Sequence, residues 1–73
     1  MEAEVANTIA EAAGCYFRYD TTLKRYALYV GQSWAHIAPE DLRKLDEVEY
    51  RKFLISFLMQ EADDILKYGV TVN

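Results

Sequence analysis

The sequence predicts an α+β fold in one small domain, residues 1–73, and three observations support this prediction. Apolar side chains recur at helical spacing near the N-terminus, alternate with a period of 2 in the middle, and return to helical spacing in the last third. The expected order is helix, strand, strand, short helix and long helix, followed by either a third strand or a frayed end. We expect the antiparallel β-hairpin to pack against the long helix.

The first element is predicted to be a helix over residues 1–13. Glu2 and Glu4 lie favourably near its positive end, and Gly14 follows where a left-handed residue commonly ends a helix. Its small face, expected to pack within the molecule, is formed by Ala3, Ala6, Ala10 and Ala13.

Alternating side chains predict a β-hairpin over residues 15–30, with a loop of four or five residues around 20–24. Because neighbouring side chains point to opposite faces, Phe17, Leu28 and Val30 are expected to face the core. The opposite, outer face is predicted to present Tyr16, Arg18, Arg25, Ala27 and Tyr29. Residues 31–38 are expected to form a connector whose Trp34 and Ile37 cover the edge of the core.

Two helices are predicted after Pro39, a short one over 39–45 and a long one over 47–68. A continuous helix over 39–68 would span about 45 Å, whereas a compact domain of this size is about 30 Å across. Asp46, with Glu49 three residues later, supplies an N-cap for the break. The β-branched tail, residues 70–72, accounts for the alternative C-terminal strand.

The long helix carries two apolar stripes, more than one core-facing side needs. An aliphatic arc of roughly 140° contains Val48, Leu54, Ile55, Leu58, Met59, Ala62, Ile65 and Leu66. Beside it lie the aromatic residues Tyr50, Phe53, Phe57 and Tyr68. Either the first helix covers the aromatic stripe while the sheet packs on the aliphatic arc, or Tyr50, Phe53 and Phe57 meet another chain. The small side chains of the first helix favour partial exposure, and therefore self-association into a homodimer.

The outer hairpin face admits three interpretations. Tyr16, Arg18, Arg25 and Tyr29 combine aromatic rings with guanidinium groups, which are frequent at protein-interface hot spots. The same groups can stack bases and contact phosphates of single-stranded nucleic acid. In the third interpretation they form ordinary cross-strand pairs, and the first helix covers this face.

The acidic residues Glu61, Asp63 and Asp64 lie late in the long helix. With basic residues interleaved, they are typical of a solvated helix face. The alternative is that they imitate nucleic-acid phosphates and bind a basic channel of a partner protein.

Composition excludes several classes of function. The chain is 52% hydrophobic with a net charge of −4, and segments 1–14, 15–38 and 39–73 carry −3, +2 and −3. This acidity disfavours a general nucleic-acid binder.

With a single cysteine, Cys15, and a single histidine, His36, we expect no disulfide, metal, cofactor or catalytic residues. Neither a membrane span nor a signal peptide is indicated, so a cytoplasmic location is expected.

The predicted function is that of a small acidic non-enzymatic module that binds a protein partner, as an inhibitor or adaptor that blocks or bridges. Such domains are typical of the accessory proteins that viruses and mobile elements use against host nucleases or defence complexes, a comparison of size and charge alone. The alternative is a nucleic-acid-binding module that uses the hairpin face. An enzyme is disfavoured because so short a chain would need a second subunit to enclose a pocket.

Overall fold

A computed structural model describes residues 1–68 and confirms the α+β fold. The elements are α1 (Ala3–Ala12), β1 (Tyr16–Asp20), β2 (Arg25–Val30), β3 (Ser33–Ile37), α2 (Pro39–Lys44) and α3 (Glu47–Tyr68). The strands form one antiparallel sheet in the order β1-β2-β3. The C-terminal strand predicted at residues 70–72 lies outside the described residues.

The first helix ends as predicted at Gly14, which has a φ of +85°. The amide of Gly14 donates to the carbonyl of Glu11, and the amide of Cys15 donates to that of Ala10. These two bonds are those of a Schellman motif, in which a left-handed residue satisfies the last carbonyls of a helix. The motif turns the chain directly into β1.

The hairpin loop between β1 and β2 has four residues, as predicted. Asp20 stabilises it, because its Oδ1 accepts hydrogen bonds from the amides of Thr22 at 2.9 Å and Leu23 at 3.0 Å. Lys24 then closes the loop with a φ of +56°, and Asp20 pairs with Arg25 across the strands. An aspartate that accepts hydrogen bonds from amides two and three residues ahead favours a turn, and the loop therefore forms without an Asn-Gly pair.

The third strand corrects the prediction of a connector over residues 31–38. A two-residue turn, in which Gly31 has a φ of +57°, brings Ser33 opposite Val30 and extends the sheet to Ile37. Glycine at the first central position is the signature of a type II′ hairpin turn. Ile37 is buried as expected, but Trp34 is exposed, so its predicted place over the core edge is wrong.

The break between α2 and α3 is confirmed at Asp46. Pro39 begins α2, and Asp46 Oδ1 accepts a hydrogen bond of 2.7 Å from the amide of Glu49 at the start of α3. The Met1 ammonium donates to the carbonyls of Leu42 and Leu45 near the end of α2. A positive group there is favourable because it lies at the negative end of the helix dipole.

The core lies between the helices and one face of the sheet. Tyr50, Leu28 and Leu42 are its largest fully buried side chains. All three helices contribute to the same buried cluster, which consists of Ala6, Ile9, Ala10, Cys15, Leu28, Ile37, Leu42, Tyr50, Leu54 and Phe57. Because the strand residues in this cluster share one face, α1 does not cover the outer face. The third interpretation of this face, in which the first helix covers it, is therefore wrong.

Candidate binding surfaces

The strand register assembles the predicted Tyr/Arg face and adds β3 to it. Tyr16 pairs with Tyr29, and Tyr29 pairs in turn with Trp34. Directly opposite residues project to the same side of a sheet. The outer face therefore comprises Tyr16, Arg18, Asp20, Arg25, Ala27, Tyr29, Trp34 and His36.

Aromatic rings dominate one end of the outer face. Tyr16 is 63% exposed and Trp34 is 60% exposed, with the half-buried Tyr29 between them. The ring centroids of Tyr16 and Tyr29 are 6.4 Å apart, and those of Trp34 and His36 are 4.8 Å apart. Trp34 and His36 are the functional candidates that sequence reasoning left off this face. Their two-residue spacing was the signal that could have placed them there.

Charged groups lie at the other end of the outer face. Arg18 and Arg25 are exposed, and one carboxylate, Asp20, lies opposite Arg25. The pKa of Asp20 is lowered chiefly by the hydrogen bond from the Leu23 amide, and the charges of His36 and Arg18 contribute less. With two guanidinium groups and one carboxylate, the face has a net charge of +1 on a chain of −4.

Tyr50, Phe53 and Phe57 pack in or against the core, and the expectation that they are partly exposed is wrong for Tyr50 and Phe57. Tyr50 is fully buried, Phe57 is almost so, and Phe53 is partly buried against the core. The Tyr50 hydroxyl donates a 2.9 Å hydrogen bond to the carbonyl of Ala6 in α1. Burial, and secondly the negative charge of an ionised Cys15, raise the pKa of Tyr50 to about 12.

The small side chains of α1 explain this outcome. Ala6 and Ala10 are fully buried, and residues without bulk let two helices approach closely. The alanines therefore make room for the aromatic rings of α3. The sequence-based prediction was the opposite, namely that these alanines are too small to cover the aromatic rings.

Much of the aliphatic arc of α3 is exposed instead. Leu54 is buried and Leu58 is partly buried against the core. Beyond them, Val48, Ile55 and Met59 are 57–62% exposed and Leu66 is 85% exposed. The sheet therefore does not cover this side of α3. We refer to Val48, Ile55, Met59, Ala62 and Leu66 as the aliphatic stripe.

The acidic group late in α3 is divided by the fold. Glu61 accepts a hydrogen bond from the Ser33 hydroxyl, and its carboxylate lies against Gly31 in the β2–β3 turn. It therefore ties α3 to the sheet. Asp63 is exposed and Asp64 is half-buried, which leaves Asp63 as the most accessible of the three acids.

Cys15 is buried, and burial raises the pKa of its thiol. A raised pKa keeps a thiol protonated and weakly reactive. Within residues 1–68, no three histidine, cysteine, aspartate or glutamate side chains group in a way that could hold a metal ion. No helix in that part of the chain is long and apolar enough to cross a membrane.

No protein-family model, curated protein or solved structure matches this chain. Its function is therefore inferred from the two exposed surfaces, the outer face of the sheet and the aliphatic stripe of α3.

Proposed function

We propose that this chain is a small cytoplasmic, non-enzymatic module that binds another protein through the outer face. It acts as an inhibitor or adaptor, by blocking or bridging the partner. The observation that carries the proposal is the exposure of Trp34 and Tyr16 on a sheet face that none of the described helices covers.

The aromatic end of the outer face suits a protein interface. Each buried aromatic side chain removes about 150–250 Å² from water, and tryptophan and tyrosine are enriched among residues that dominate binding energy. Trp34, Tyr29 and Tyr16 lie side by side on three paired strands. Little conformational entropy is therefore lost when a partner covers them.

The charged end indicates the chemistry of the partner. Arg18 and Arg25 flank the aromatic residues on one side only, so a complementary surface would combine an apolar patch with carboxylates. Single-stranded nucleic acid is the alternative, because exposed rings beside guanidinium groups also bind bases and phosphates. Two guanidinium groups on a chain of net charge −4 give little electrostatic attraction to a phosphate backbone, so a protein is favoured.

The test is affinity capture from the source cells, followed by titration of each captured protein in purified form. Trp34→Ala is expected to weaken binding about 30-fold, the effect of losing a hot-spot residue of about 2 kcal/mol. Leu23→Ala is the matched control, since Leu23 is a 52% exposed apolar residue in the hairpin loop at the opposite end of β1 and β2. Equal binding by both variants would contradict the proposal.

The fluorescence of Trp34 tests the nucleic-acid alternative, because Trp34 is the only tryptophan of the chain. Bases that stack on its ring would change its fluorescence, and this change would weaken as salt is raised. We expect no change on adding oligothymidine or oligouridine at 50 mM salt. A saturable change that is lost in the Arg18→Ala variant would establish the alternative.

A further inference from the structure

The aliphatic stripe is an apolar surface that the fold leaves exposed. Its five residues, 48, 55, 59, 62 and 66, lie within an arc of about 60° and extend about 27 Å along α3. Their separations of seven, four, three and four residues are those of a helix that packs along another helix. Exposed apolar rows of this kind mark interaction sites.

When the stripe is reversed about Phe57, four of its five positions coincide with positions of the stripe, and Ala62 is the exception. Rotating a second α3 by 180° about the level of Phe57 places Ile55 opposite Met59 and Val48 opposite Leu66. Lys52 then lies opposite Ala62. Such self-complementarity is the property of a two-fold symmetric interface, in which each residue meets its counterpart twice.

Charge supports the same antiparallel arrangement. Lys52 and Asp63 are exposed on the same edge of the stripe, about 20° apart around the helix axis. In an antiparallel pair, Lys52 of one copy lies beside Asp63 of the other, and symmetry makes this contact twice. A parallel two-fold pair would instead place this edge of the two helices on opposite sides of the contact, so Lys52 and Asp63 would not face each other.

The surface beside the stripe can receive the partner's side chains. A groove of about 240 Å³ runs between α1 and α3 and is lined by the apolar residues Ile9, Ala12, Ala13, Leu54, Ile55 and Leu58, with Arg51 as its one charged residue. Burying an aliphatic side chain removes on the order of 100 Å², so the stripe and groove together approach the roughly 600 Å² per partner of the smallest specific interfaces. A dimer of this size is expected to dissociate on dilution.

From these observations we infer that a second copy of this chain docks on the aliphatic stripe, forming an antiparallel α3–α3 homodimer. The outer face lies across the sheet from the helices and stays accessible in it. Each dimer then presents two outer faces, which would strengthen binding to a multivalent partner. The inference stands on α3 and the groove beside it, and it does not depend on the proposed function of the outer face.

Sedimentation equilibrium between 1 and 300 µM tests the inference. The native chain is expected to show a monomer–dimer equilibrium, and Met59→Glu is expected to raise its dissociation constant at least tenfold. Gln60→Glu is the matched control, since it adds the same charge at the next position, which is also exposed but faces about 100° away from the stripe. A native chain that stays monomeric throughout, or equal weakening by both variants, would overturn the inference.

Exchanging the charges of Lys52 and Asp63 tests the antiparallel pairing. It also separates a loss of pairing from a loss of folding. Lys52→Asp and Asp63→Lys are each expected to weaken the dimer several-fold, whereas the two changes together restore it. Circular dichroism at 1 µM should be the same for all variants, because both residues are exposed. If the double variant dimerises no better than the single variants, the antiparallel arrangement is wrong.

Discussion

The Tyr50 hydroxyl is the polar contact that joins α1 to α3. It donates to the Ala6 carbonyl within the core, 44 residues away in sequence. A buried hydroxyl without a partner would be costly, so this bond fixes both the rotation of α3 and its distance from α1. It also explains why tyrosine, with its polar end, can occupy a fully buried position.

We expect Tyr50→Phe to lower the free energy of unfolding by about 1 kcal/mol, the net value of a typical hydrogen bond. In a domain of this size, that change corresponds to a fall in Tm of about 4–8 °C. Thermal unfolding followed by circular dichroism measures it. Tyr16→Phe removes the same atom from an exposed ring and should leave Tm unchanged. Equal effects of the two changes would show that the bond to Ala6 contributes nothing.

At the scale of the elements, Asp46 separates two helices that would otherwise form one rod. Its carboxylate accepts the Glu49 amide at 2.7 Å, satisfying one of the donors that the first turn of α3 leaves without a partner. The chain can then turn between α2 and α3, and α3 returns across the sheet. The position of α3, and therefore of the aliphatic stripe that it exposes, depends on this cap.

Asp46→Ala is expected to cost about 1 kcal/mol of unfolding free energy, because alanine cannot cap the helix. Asp46→Asn keeps an acceptor oxygen at the same place and should lie close to the native value. Urea unfolding at one low protein concentration compares the three proteins. If alanine and asparagine are equally destabilising, the charge of Asp46 matters and its capping bond does not.

The elements also show what the sequence could predict and what it could not. Local signals placed α1, the hairpin and the break at Asp46 correctly, because Gly14 and the capping aspartate act on their own neighbours. Strand β3 was missed, since Ser33, Ala35 and His36 have weaker strand preferences than Trp34 and Ile37 and the five residues alternate without a clear apolar face. It forms because Gly31 allows a tight turn onto β2, which offers a free edge.

The two stripes of α3 could not be assigned from periodicity alone. Periodicity shows that a helix has two apolar sides but not which side meets its own domain. That choice depends on the shape of the partner surface, here the close approach that Ala6 and Ala10 allow. The prediction of Tyr50, Phe53 and Phe57 as an interface therefore chose the side of α3 that packs within its own domain. The part of the outer face on β1 and β2 was predictable because successive side chains of a strand point to opposite faces.

At the scale of the whole molecule, the fold has two layers, with the helices on one side of the sheet. Such an arrangement buries one face of the sheet and leaves the other available. It also leaves the far side of α3 uncovered, because no further described layer lies beyond it. The two candidate surfaces thus lie on opposite sides of the same thin core, and a partner on one does not obstruct the other.

The burial of Tyr50 and Cys15 in this core determines how the free energy of unfolding changes at alkaline pH. Burial raises the pKa of Tyr50 from its ordinary value of 10.0 to about 12, and it raises the pKa of Cys15 in the same direction. Between pH 10 and pH 12, the Tyr50 hydroxyl is mostly ionised in the unfolded chain and mostly protonated in the folded chain. The contribution of Tyr50 to folding is therefore complete below pH 10 and is lost as pH rises towards 12.

We accordingly expect the free energy of unfolding in urea to fall between pH 9 and pH 11.5. Tyr50→Phe, referred to its own value at pH 8, should show a shallower fall because one group that ionises on unfolding is gone. Tyr16→Phe again provides the control, since its ring is exposed in the folded chain. If Tyr50→Phe and the native chain lose stability in parallel, the ionisation of Tyr50 is not linked to unfolding, and its ring must be accessible to water in the folded chain.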